Sequence, residues 1–130
     1  MPGQELASTA MISVVDDDVW AREGLQDLIA AFGYEVRTFE SAEEFVASGR
    51  IAETACLVTD LNMPGMSGLE LQMYLRGEGH KTPIIIVTAY PTEEHRSRAL
   101  KDGATAFLTK PLDERALVSW IAQATASPMC

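Results

Sequence analysis

Pro83-Ile84-Ile85-Ile86-Val87-Thr88 is the stretch on which the fold turns. Pro83 opens it, and the four large β-branched residues that follow leave neither face of a strand polar. A run of that kind fits a central strand of a parallel sheet, buried on both faces under helices, and not an antiparallel strand with one wet side.

The flanking sequence agrees. On the C-terminal side, Thr92–Lys101 reads as a polar helix with little apolar surface beyond Ala99 and Leu100, stopped by Gly103. Thr105–Thr109 reads as a further strand. Leu112 to about Thr125 reads as a last helix with Ala116, Leu117, Trp120, Ile121 and Ala124 inward. On the N-terminal side, Gly77 and Gly79 close a helix that Ser67 caps and that carries Leu69, Leu71, Met73 and Leu75. Asn62, Pro64, Gly65 and Gly68 mark the loop before it, and Ala55–Thr59 is a strand ended by Asp60. Further back, Ser41 with Glu44 three residues later reads as a capping box for a helix to about Ser48. Tyr34–Phe39 alternates like a half-buried strand. Val19, Leu25, Leu28, Ile29 and Phe32 fall at helical spacing before the stop at Gly33, and the apolar run Met11–Val15 ends in Asp16-Asp17-Asp18.

Five strands thus alternate with five helices, which requires right-handed crossovers and a parallel sheet covered on both faces. The expected class is α/β, a doubly wound, flavodoxin-like sheet; of the two common orders, 2-1-3-4-5 suits five strands. One domain is expected over residues 11–125, with a mobile tail at 1–10 and a short tail at 126–130. The 130-residue length fits a single domain with an ordinary core.

Composition is 47% hydrophobic and 22% charged, that of a soluble globular chain, and the longest apolar run is far too short to cross a bilayer. Met1–Ala10 lacks the pattern of a signal peptide. Cys56 sits in an apolar run and Cys130 is the last residue, so no disulfide framework is expected and the cytoplasm is the default location. A net charge of −9, with the ten Lys and Arg in no block, argues against direct nucleic-acid binding. The acidity reads equally as solubility or as part of a cation site.

The polar residues acquire meaning once placed on the sheet. Asp16 and Asp17 end the first strand, Asp60 the third, Thr88 the fourth and Lys110 the fifth. All lie at carboxyl ends, where open parallel sheets bind ligands beside the point at which strand order reverses. In the 2-1-3-4-5 order that point lies between the first and third strands, which carry all three carboxylates. Such a cluster repels itself unless a cation joins it. Oxygen donors without His or Cys favour a hard cation, and magnesium takes one or two carboxylates together with a phosphate oxygen. A carboxylate so placed can act as nucleophile on phosphorus and form an aspartyl-phosphate, with the metal, a lysine and a hydroxyl neutralising the phosphoryl oxygens.

Val14-Val15-Asp16-Asp17-Asp18, Thr59-Asp60-Leu61-Asn62-Met63-Pro64-Gly65-Met66-Ser67-Gly68, Val87-Thr88-Ala89 and Phe107-Leu108-Thr109-Lys110-Pro111, in that order, resemble the receiver domains of two-component response regulators. The resemblance covers about Met11 to Ala124 and looks strongest to receivers of nitrogen-fixation-type transcription regulators. It implies that Asp60 is the phosphoacceptor, that Asp17 binds Mg2+ directly with Asp16 beside it mainly through water, and that Asn62 gives its backbone carbonyl to the metal. It implies that Thr88 bonds one phosphoryl oxygen and Lys110 pairs with another, that Phe107 is the switch aromatic, and that Lys110-Pro111 is a cis bond. The implied phosphodonor is a sensor histidine kinase. The implied output surface is the fourth helix, fifth strand and fifth helix, a place for a partner or a homodimer. The chain is then a phosphoacceptor signalling protein and not an enzyme with turnover. Tyr90, two residues after Thr88, stands where it can shade the phosphoryl group from water.

Blander readings compete for some of these residues. Asp18 suits a helix cap, leaving its two neighbours for metal. Phe107 reads equally as core, and Trp20 as core packing or as part of a docking face. His80 and His95 read as solvated surface, and Met63, Met66 and Met73 as packing. Two other functions remain open: an aspartyl-phosphate phosphohydrolase, and a phosphate-independent interaction module of the same fold. The first ordinarily places an acid two residues after its nucleophile on the first strand, whereas Asp60 ends the third strand and is followed by Asn62. The second would require loss of Asp60 or Lys110.

Overall fold

Strand β4 (Ile84–Thr88) is buried at all five residues, as its two-sided apolar run requires. A computed structural model describes residues 10–126. The tails expected at 1–10 and 126–130, with Cys130, lie outside that span except for Ala10 and Ala126. Around β4 the chain runs β1 (Met11–Val15), α1 (Val19–Ala31), β2 (Glu35–Phe39), α2 (Ala42–Ala47), β3 (Cys56–Asp60) and α3 (Gly68–Gly77). After β4 come α4 (Glu93–Lys101), β5 (Ala106–Thr109) and α5 (Glu114–Thr125). All strands pair in parallel in the order β2-β1-β3-β4-β5, with Val58 opposite Ile85 and Ile85 opposite Ala106. This is the expected flavodoxin-like order.

The strand period of two divides the core between the faces. Ile84 and Ile86 face a cluster with Val15, Leu57, Phe45 of α2, Leu71 and Leu75 of α3, and Ala99 of α4. Ile85 and Val87 face Ile12, Val14, Cys56, Leu25 and Ile29 of α1, and Leu117 and Ile121 of α5. Helices α2, α3 and α4 therefore cover one face and α1 and α5 the other. Each fully buried Ile or Leu stabilises the fold by roughly 1.5–3 kcal/mol.

Some local expectations are corrected. Val19 and Phe32, at helical spacing with the core residues of α1, are 43% and 59% exposed because they stand at the two ends of that helix. Met73 is 48% exposed and lies against the Arg98 guanidinium rather than in the core. The Ser41 hydroxyl accepts from the Glu44 amide, but the Glu44 carboxylate reaches past the cap to the Glu40 amide at 2.6 Å, so the box is half made. The reciprocal box forms instead at Ser67 and Glu70. Helix α5 begins at Glu114 because the Asp113 side chain caps it. His80 and His95 are half-buried rather than fully solvated. Burial pushes the Cys56 thiol up to about 12, so it is a core residue with little thiolate character.

Helix α4 buries only Ala99 and is fastened at its C-terminal end. Gln72 of α3 donates to the Ala99 carbonyl at 3.0 Å. The Arg76 guanidinium donates to the carbonyls of Asp102 and Gly103 and, behind them, to those of His80 and Thr82.

Candidate functional site

Strand order brings the ends of β1 and β3 side by side, and with them three carboxylates. Asp16, Asp17 and Asp60 each place an oxygen within 4.8 Å of the others. Asp16 is 1% exposed. Its amide donates to the Phe39 carbonyl, its own carbonyl accepts from Arg22, and its Oδ1 accepts from the Asp18 amide at 2.9 Å. Asp18 caps α1 by accepting from the Trp20 amide, which divides the three aspartates as their order suggested. Asp17 projects into solvent at the rim.

Lys110, just past β5, reaches back across the sheet edge. Its Nζ lies 3.3 Å from Asp16 Oδ2 and 3.9 Å from Asp60 Oδ1. The Lys110-Pro111 bond is cis, as the resemblance implied. Thr88, fully buried at the end of β4, accepts at Oγ1 from the Asn62 side-chain amide at 3.1 Å and from the Tyr90 backbone amide at 3.0 Å. A cleft of about 230 Å3 joins Asp17, Asp18, Asp60, Asn62, Ala89, Tyr90 and Lys110.

Burial pushes the Asp60 carboxyl up to about 6 from an ordinary 3.8; Lys110 pulls it back, Asp16 and Asp17 push it further, and the Leu61 amide lowers it. Three ionised carboxylates and one ammonium would leave this small cleft at −2. The donors are oxygens, with no His or Cys in the cluster. That charge and donor set fit a hard divalent cation.

The other expected site residues lie further out. Phe107 is 7% exposed and packs in the α2–α4 face, opposite Ile86 on β4. Trp20 is 79% exposed, which removes the core-packing reading. Tyr90, 76% exposed, stands on the rim of the cleft. Met63 and Met66 pack against the core as expected.

Gly68, expected as a loop marker, is instead the first residue of α3, and Glu43 carried no expected role. A Cβ on Gly68 would collide with the backbone carbonyl of Asp60, so the close approach of α3 to the end of β3 requires glycine there. Glu43, on α2, accepts from the Met66 amide in the loop beside the cleft. The Gly68 signal was available in principle, since a glycine opening a helix directly after a Ser cap lowers helix propensity without a local reason.

Residues 12–122 match the family model of the response regulator receiver domain. Nodulation protein W of Bradyrhizobium diazoefficiens is 37% identical over 121 residues, covering 93% of this chain and 53% of that protein. The transcriptional regulatory protein FixJ of Azorhizobium caulinodans is 37% identical over 108 residues, covering 83% of this chain and 51% of that protein. The solved response regulator StyR superposes with a TM-score of 0.84 at 42% identity, covering 91% of this chain and 60% of that one. The chain thus spans about half the length of the curated relatives it matches. Among the described residues no helix is long and apolar enough to cross a membrane.

Proposed function

The chain belongs to the response regulator receiver domain family, and from that premise we propose that it is switched by transfer of a phosphoryl group from a sensor histidine kinase to Asp60. The observation that carries this reading is the convergence of Asp16, Asp17 and Asp60 in one cleft under Lys110.

In the proposed reaction a carboxylate oxygen of Asp60 attacks phosphorus as the nitrogen–phosphorus bond of the donor phosphohistidine breaks. The imidazole nitrogen keeps the electron pair, and an acyl phosphate forms on Asp60. Asp16, Asp17 and Asp60, with the Asn62 backbone carbonyl, would hold Mg2+, which would supply positive charge against the phosphoryl oxygens. Lys110 pairs with one of those oxygens and Thr88 donates its hydroxyl to another. Water attack on phosphorus releases phosphate and resets Asp60. Tyr90, on the rim, restricts that water.

Drawing Thr88 inward vacates space toward β5, and Phe107 turns into it. The surface of α4, β5 and α5 then changes, to be read by an output or by a second copy in a homodimer. The setting is cytoplasmic, and no direct nucleic-acid or membrane contact by these residues is needed. Phosphorylation must favour the active state by about 5.5 kcal/mol to invert a 1:99 population. Charge-assisted hydrogen bonds contribute roughly 1.5–3 kcal/mol each, so two of them reach that figure only at the upper end of the range and leave the shift partial below it.

The test is intact-mass measurement after incubation with acetyl phosphate, with Mg2+ and with chelator. One added phosphoryl group with Mg2+ and none with chelator supports the reading; none in either condition, or equal labelling in both, overturns it.

A further inference from the structure

We propose that Glu43 is a positioning residue for the phosphoacceptor site, holding in place the β3–α3 loop that carries Asn62. The inference rests on the reading above, which gives the Asn62 carbonyl to the metal.

The loop is tied at its base by backbone bonds: the Leu61 amide donates to the Val87 carbonyl, and the Gly68 amide to the Leu61 carbonyl, each at 2.9 Å. Asn62 bonds Thr88 within the cleft. At the outer turn, the Met66 amide donates to Glu43 Oε2 at 2.8 Å. Gly65 adopts φ +77°, and a Cβ there would stand 2.5 Å from the same carboxylate oxygen. The Glu43 carboxylate therefore lies directly against the loop backbone at Gly65, where an added Cβ would have to displace it.

Among the described residues Glu43 forms no salt bridge. Its neighbour Glu44 serves the entry to α2 through the Glu40 amide. The two adjacent glutamates thus accept from different backbone amides, Glu44 from Glu40 just before α2 and Glu43 from Met66 across in the loop. A carboxylate accepting from a backbone amide makes a charge-assisted bond, stronger than a neutral one. Groups that orient a metal ligand from behind it change metal affinity when removed although they never touch the ion. Met63 and Met66 also pack this loop on the core, so packing alone is the competing explanation.

The experiment compares the full chain with Glu43→Ala and Glu43→Gln. Amide hydrogen exchange at Met66 is read in metal-free protein, and Mg2+ affinity is read from Trp20 fluorescence. Glu43→Ala should lose protection at Met66 and bind Mg2+ about tenfold more weakly, the low end for an outer-shell partner because Glu43 is exposed. Glu43→Gln keeps a carbonyl acceptor and should rescue both. Wild-type values in Glu43→Ala overturn the proposal in favour of packing, and equal loss in Glu43→Gln overturns the hydrogen-bond assignment. A wild-type chain that binds no Mg2+ overturns the site reading itself, which is a different result from indifference of the variants.

Discussion

The Lys110 ammonium lies nearer the Asp16 carboxylate, at 3.3 Å, than that of Asp60, at 3.9 Å. These two residues stand 94 positions apart in the chain and meet only because β1 and β5 end at the same sheet edge. Asp16 is nearly inaccessible, so Lys110 supplies charge that solvent cannot. A cation bound beside Asp16 would take over that duty and leave Lys110 for Asp60 and whatever Asp60 carries.

Lys110→Ala should therefore destabilise the metal-free protein by roughly 1–2 kcal/mol, below the 3–5 typical of a fully buried pair because Lys110 is part-exposed. Saturating Mg2+ should restore much of the loss. Urea unfolding with and without Mg2+ measures both, and a variant whose deficit Mg2+ leaves unchanged would count against the exchange of partners.

Asp60 gives the metal-free protein a pH dependence of stability. Its folded value, about 6, exceeds the ordinary 3.8, so between those values the folded state holds a proton the unfolded chain has released. The penalty is absent below about 4, grows as pH rises, and is complete above about 6. Asp60→Asn should remove this segment of the pH profile and melt higher than wild type at pH 7, while matching it near pH 4. Thermal melts across pH 4–7 without metal test this; parallel profiles for the two proteins would refute it.

Gly68→Ala forces a Cβ against the Asp60 carbonyl, so either α3 or the end of β3 must move. A cost of about 1–3 kcal/mol is expected from overpacking of this kind. Phosphoryl labelling should fall with it, since the displaced residue is the proposed nucleophile. Gly77→Ala is the control: nothing lies within 4 Å of a Cβ there, and a small gain in helix stability is expected.

Thr88→Ala strands two donors, the Asn62 side-chain amide and the Tyr90 backbone amide. Asp60 should still be modified, but coupling to α4 should fail. Beryllofluoride as phosphoryl mimic should change amide exchange within residues 88–109 of the wild type. The largest changes should come before Ala99, because Gln72 and Arg76 fasten the far end of α4. In Thr88→Ala the change should stay around Asp16, Asp17 and Asp60; a wild-type pattern in that variant would break the proposed link.

The sheet was legible because Ile84–Val87 has no polar side and the short apolar runs alternate with helical patterns stopped at Gly33, Gly77, Gly79 and Gly103. The strand-end positions of Asp16, Asp60, Thr88 and Lys110 followed from the same reading. Side-chain reach was not legible. Glu44 follows the capping-box pattern yet bonds Glu40, and Glu43, one residue earlier, crosses to Met66. Gln72 and Arg76 look like ordinary polar helix positions, although Gln72 is fully buried against α4. Val19 and Phe32 keep helical spacing but fall past the ends of the covered surface of α1. Periodicity names a face; it does not say where the neighbouring element stops or which carbonyl a long side chain meets.

The central claim is that the phosphoryl group resides on Asp60. Borohydride reduces an acyl phosphate to the alcohol, so an aspartyl-phosphate is converted to homoserine where it stands. Peptide mapping after acetyl phosphate, Mg2+ and borohydride should find homoserine at position 60 alone, and Asp60→Asn should yield none. Homoserine at position 16 or 17, or modification of the Asp60→Asn variant to the wild-type extent, would contradict the account.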